Sequence, residues 1–198
     1  EPGIPAEPGI PAEPAGVAAV TLGTPLDDHA NLAKVWFEQR TFPRASRALH
    51  ADLAHVPYFA PPLCPAVPTV VTIHDLIPLL LPAYRGTASV QAYTRLVSYA
   101  ARRATLVLTD SQASARDITD RLRVRPERLR VVYLAADAGF RPVPPDEREP
   151  TLRRLGIDGR YLLYLGGFDC RKNVVGLLRA FARCAARLAP VTLVLGGR

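Results

Sequence analysis

The stretch that most constrains this chain is residues 161–198, YLLYLGGFDCRKNVVGLLRAFARCAARLAPVTLVLGGR. Its opening apolar run, 161–165, has the length of a buried strand. Gly166 and Gly167 then allow a tight turn, and Asp169, Arg171, Lys172 and Asn173 crowd in behind it. From Val174 the period changes, because Leu177, Leu178, Phe181 and Leu188 fall near one face of a helix. Pro190 marks the end of that helix, and 191–195 predicts a second buried strand. Strand, glycine turn, helix, strand is a βαβ unit, which makes the chain α/β with a parallel sheet. Its polar residues stand where strand passes to helix, the place where open α/β sheets bind ligands.

The chemistry offered there is anion binding. Backbone N–H groups at a helix start carry partial positive charge, and Asn173 is the expected N-cap. Arg171 and Lys172 add two full cations, enough to hold a diphosphate. The pair also reads as a solvated basic end of a helix, and spacing leaves both readings open, since neither G-x-G-x-x-G nor a Walker A loop is present. One detail favours phosphate. The chain uses Arg almost throughout, and Lys34 and Lys172 are its only lysines. A Lys kept beside an Arg points to a place for a compact ammonium.

With 198 residues, 48% of them hydrophobic, the chain can bury a core. Net charge is +7, but the arginines are scattered and no DNA- or RNA-binding motif appears, so no nucleic-acid partner is expected. Cys64, Cys170 and Cys184 are an odd set without C-x-x-C spacing, which argues against a disulfide framework or a zinc site and for a reducing compartment. No signal peptide or spanning run is visible, and the apolar stretch 76–81 is short and broken by Pro78. The expected location is the cytoplasm, with peripheral association at the inner face of the membrane. The absence of Met and the stop directly after a strand lead to the expectation that this is part of a longer protein. A two-stranded parallel sheet with one helix cannot cover its own faces.

Taken in order, the chain opens on EPGIPAEPGIPAEPAG, a Pro-rich repeat that forbids a helix interior or central strand. Residues 1–16 are therefore read as a disordered lead-in. A strand is predicted over 17–22 and a helix over 27–40, with Leu32, Val35, Trp36 and Gln39 on one face, Trp36 in the core, and Asp27 or Asp28 as cap. A helical segment follows at 44–50 and a short strand at 52–56. The β-branched run 70–73 then predicts a buried strand that delivers His74 and Asp75 to the sheet edge, where an imidazole can meet a ligand. A locally satisfied histidine, with Asp75 as a turn residue, is the alternative. A helix over 90–103 should bury Val90, Tyr93, Leu96, Val97 and Ala100. Beyond it come a strand over 106–108, a helix capped by Ser111, a strand over 130–133, and a short helix over 151–155.

Two of these stretches resemble one family. YLGGFDCRKNVVGLLRAF looks like the donor-domain signature of GT4-type glycosyltransferases, retaining nucleotide-sugar enzymes of GT-B fold. DLAHVPYFAPP followed by VVTIHDLIPLLLPAYRG resembles the N-terminal domain of the mannosyltransferase-like members. The resemblance covers about 36–198. It implies an incomplete Rossmann-like acceptor-side domain over 17–140, a linker over 141–150, and over 151–198 the first βαβ unit of a second, nucleotide-sugar-binding Rossmann-like domain. It makes Gly166 and Gly167 the turn that approaches the donor, and Arg171 and Lys172 the pair that binds its diphosphate. It makes His74 the catalytic candidate, lying near the transferred sugar, with His55, Asp75 and Ser111 as lesser cleft residues. There are departures: Gly167 stands where some relatives carry a basic residue, and Cys170 where Pro is common.

The implied reaction moves a sugar from a nucleoside diphosphate sugar to an acceptor hydroxyl, on a glycan or lipid-linked acceptor, with retention and without a metal or other cofactor. GDP-mannose is the donor that the resemblance suggests. The family's glycine-rich loop and its acidic donor-gripping motif are not found between 1 and 198, so the chain by itself is expected to be inactive. The alternative is a non-catalytic remnant that binds a nucleotide or partner and transfers nothing.

Overall fold

The computed structural model describes residues 18–26 and 28–197, which divide into two compact units, one through Ala135 and one from Ala136. The Pro-rich repeat and Asp27 lie outside the described residues.

The first unit begins irregularly. Residues 18–22 form no strand, against expectation, because they have no neighbour in the sheet to pair with, and Val20 is left exposed. Helix α1 (Ala30–Trp36) starts after His29, so Asp28 is not its cap. It runs through a π-helical turn (Phe37–Thr41) into α2 (Phe42–Ala48). That turn overturns the predicted helical face. The wider π register carries Glu38 inward to 2% exposure, while Leu32 and Trp36, expected in the core, stay at the surface.

Strands β1 (Ala54–Val56), β2 (Thr69–Thr72), β3 (Leu106–Thr109) and β4 (Leu129–Val131) lie side by side in chain order, each pair parallel. Parallel neighbours need crossovers. Between β2 and β3 these are α3 (Ile77–Leu80) and α4 (Ala88–Ala101); between β3 and β4 they are α5 (Gln112–Asp117) and a second π turn (Ile118–Leu122). Val71 pairs with Val107, both fully buried, and Ile73, Leu76, Ile118 and Leu122 close over them. Each such side chain contributes roughly 1.5–3 kcal/mol on burial, which fixes the strand register. On α4 the buried stripe is Thr94, Val97, Ala100 and Ala101 rather than one led by Val90, which is exposed. Thr94 tolerates burial because its hydroxyl donates to the Val90 carbonyl at 2.8 Å. The sheet is that of a Rossmann-like α/β domain, and β2 and β3 deliver the chain to one common edge.

The second unit opens with α6 (Pro145–Arg154), a helix longer than the one expected over 151–155 and reaching into the stretch read as linker. Pro145 occupies the first turn, where a missing N–H costs nothing; Asp146 and Glu147 follow it, and Arg153 and Arg154 close the last turn, matching the helix dipole. Strand β5 (Tyr161–Leu165), helix α7 (Val174–Leu188) and strand β6 (Thr192–Gly196) form the predicted βαβ unit, with β5 and β6 parallel. Two strands leave much apolar surface uncovered, and Leu165 is 77% exposed.

Candidate functional site

In the first unit the residues that leave the C-terminal ends of β2 and β3 meet. His74 stands two residues past β2 and Asp110 one residue past β3. His74 Nδ1 lies 2.6 Å from Asp110 Oδ2. At that distance the imidazole donates a charge-assisted hydrogen bond to the carboxylate. The bond raises the His74 pKa above its ordinary 6.5, with further help from the Asp110 charge, the Pro57 backbone and Asp75, and against a smaller desolvation that lowers it. The His74 side chain is 54% exposed and that of Asp110 22%, so the imidazole is held from behind and open in front. An oriented imidazole facing solvent at a sheet edge can give a hydrogen bond, or a proton when it carries one, to a hydroxyl-bearing ligand.

Asp110 is the residue that sequence reading missed. The signal was available: it follows an apolar strand directly, in T-D-S, by the logic that singled out His74. Ser111, next along, caps α5 as expected, its hydroxyl accepting from the Ser114 N–H at 3.1 Å. Asp75 takes the turn role, its Oδ1 accepting from the Ile77 N–H at 2.9 Å. His55 does not reach this edge group through any hydrogen bond; it sits within β1, and its Nε2 is 2.9 Å from Thr72 Oγ1 on the neighbouring strand.

In the second unit the glycine turn is built by close backbone approach. Gly166 donates to the Gly196 carbonyl at 3.0 Å, carrying the β5–β6 ladder one step further. Gly197, at φ 138°, lies so close to Gly166 that a Cβ there would collide with the Gly166 carbonyl. The Gly167 carbonyl accepts from the Tyr164 hydroxyl at 2.6 Å, pinning the turn to its strand. Arg171 and Lys172 are on a 3-10 turn (Cys170–Lys172) that precedes α7, rather than on the helix itself. Asp169 Oδ1 accepts from the Arg171 N–H at 3.0 Å and lies 3.7 Å from its Nε. Lys172 forms no ion pair among the described residues. Asn173, in the left-handed region at φ 51°, caps α7 as predicted, accepting from the Gly176 N–H at 3.2 Å.

Among the described residues no three His, Cys, Asp or Glu side chains gather as metal ligands, and no helix is long and apolar enough to cross a membrane.

Comparison with known proteins bears on the first of these two sites. The chain is 29% identical over 113 residues to O-antigen chain mannosyltransferase B of Escherichia coli, a match that covers 57% of this chain and 30% of the relative. The chain therefore spans about a third of the length of the curated relative it matches. The profile of the family described as Glycosyltransferase Family 4 matches residues 4–140, which take in the whole four-stranded sheet and the His74–Asp110 edge but stop short of the glycine turn. That match extends over more than half of the sequence, and the chain belongs to glycosyltransferase family 4.

Proposed function

We propose that this chain carries parts of both domains of a GT-B glycosyltransferase, which moves a sugar from a nucleoside diphosphate sugar to an acceptor hydroxyl with retention of anomeric configuration. The observation that carries the reading is the His74–Asp110 pair, an imidazole held by a carboxylate that raises its pKa, at the C-terminal edge of a parallel sheet inside the family-matched region. In this reading His74 holds a hydroxyl of the transferred sugar near the reacting carbon, and Asp110 keeps the ring oriented and charged. Arg171 and Lys172 stabilise the negative charge that grows on the departing diphosphate, the electrostatic contribution that usually dominates such transfers. These cations supply the charge for which other transferases use a metal ion, so no metal cofactor is assigned. The name of the Escherichia coli relative supports mannose as the sugar and a glycan chain as the acceptor; a lipid-linked acceptor and work at the inner face of the membrane belong to the same proposal.

The test is calorimetric titration of GDP, UDP and ADP into the protein and its Lys172→Ala variant. The expected result is selective binding of one nucleotide, weakened about tenfold by loss of one charge-assisted contact. If none of the three binds, or the variant binds equally well, the donor-site assignment fails.

A further inference from the structure

Between β2 and β3 the sequence from Leu76 to Thr109 contains Arg85, Arg95, Arg102 and Arg103 and not one Asp or Glu. The fold gathers most of that charge. Pro78 and Leu79 of α3 and Arg85, Gln91, Thr94 and Arg95 line a cleft of about 250 Å³. A neighbouring cleft of about 350 Å³ shares Leu79 and Arg95 with it and adds Tyr99, Arg102 and Arg121. Arg85, Arg95, Arg102 and Arg121 form no ion pair among the described residues, whereas Arg153 and Arg171 each lie within 4 Å of a carboxylate. The aliphatic hydroxyls nearby are already committed. Thr94 and Ser98 donate to carbonyls of their own helix at 2.8 and 2.6 Å, so the charged donors facing the clefts are guanidinium groups. Arg102 is held in place, its Nε donating to the Leu122 carbonyl at 2.7 Å, which leaves its terminal nitrogens available.

We propose that these joined clefts form a binding site for a phosphate or diphosphate group carrying an apolar substituent. Fork-shaped guanidinium donors without a resident carboxylate match phosphate oxygens. Leu79, Pro78 and the Tyr99 ring give the attached apolar portion a surface to lie on. The site uses no residue assigned to donor binding or to the His74 edge, so it stands or falls independently of the proposed reaction. A lipid phosphate and a free diphosphate share the recognised chemistry.

Amide and arginine side-chain NMR spectra of the full chain separate them, recorded during titration with inorganic pyrophosphate, with short-chain phosphatidic acid below its micelle concentration, and with the matching phosphatidylcholine. Shifts are expected on α4 and around Arg121 with an anionic probe, and to persist in Lys172→Ala, which removes one of the two cations of the proposed donor site. Arg95→Gln, at the junction of the two clefts, is expected to weaken binding about tenfold. Tighter binding of phosphatidic acid than of pyrophosphate identifies a lipid phosphate as the ligand; equal or tighter binding of pyrophosphate shows that no apolar substituent is recognised and overturns that part of the proposal. Shifts confined to residues 166–176, equal binding of phosphatidylcholine, or unchanged affinity in a well-folded Arg95→Gln protein overturn the proposal.

Discussion

Replacing Asp110 with Asn tests whether this carboxylate charges His74 or merely packs beside it. The amide keeps the shape and an acceptor oxygen but removes the negative charge. Two unit charges about 4 Å apart attract by about 1 kcal/mol in water and about 4 kcal/mol at a protein-surface dielectric. With the imidazole more than half exposed, the lower figure governs, and the pair is worth about 1 kcal/mol. The pH dependence follows from the direction of the shift. Folding raises the His74 pKa above 6.5, so the pair's contribution is fully present below 6.5 and is lost as pH rises through the folded value. Asp110→Asn should therefore cost about 1 kcal/mol near pH 5.5 and much less near pH 9.

Two measurements check this. Side-chain NMR of His74 should show its titration midpoint fall in Asp110→Asn relative to the unmodified protein. A double-mutant cycle with His74→Ala, read by urea unfolding at both pH values, should show coupling at the lower pH that fades at the higher. An unmoved His74 midpoint, or coupling of equal size at both pH values, would refute the argument that Asp110 supplies charge.

Other perturbations test the remaining parts of the structure. Glu38→Gln keeps an acceptor for the Tyr93 hydroxyl, now 2.8 Å from Glu38 Oε2, but removes a carboxylate whose pKa burial raises. Glu38 contributes stability below about pH 4.5 that is lost as pH rises through its folded value, so the Gln protein should be more stable by about 1 kcal/mol near pH 8 and unchanged near pH 4, in unfolding curves at the two pH values. Asn173→Ala loses the α7 cap and puts a Cβ at φ 51°, for about 2 kcal/mol, while Asn173→Gly should cost only a few tenths; equal losses would remove the left-handed conformation from the explanation. Gly197→Ala drives a Cβ into the Gly166 carbonyl and should cost about 2–3 kcal/mol, visible as faster amide exchange at Gly166; unchanged exchange would refute the close approach.

What could be read in the sequence follows from which interactions are local. The strand over 161–165, the Asn173 cap and the Ser111 cap are fixed by residues within a few positions of one another, and each stands where period and capping chemistry put it. The π turn at Phe37–Thr41 was not legible, because nothing in its own five residues marks it and the Tyr93 hydroxyl that bonds the inward Glu38 is distant in sequence. The same division runs through the candidate site. Period alone brought His74 to a strand end, but whether that imidazole was a ligand group or a satisfied surface histidine depended on a partner 36 residues away. A parallel sheet supplies that partner by rule. Neighbouring strands run the same way, so the residues just past β2 and just past β3 arrive at one edge however long the crossover between them. The register that pairs Val71 with Val107 thereby sets His74 against Asp110, and the apolar core that fixes the register also fixes the chemistry of the edge.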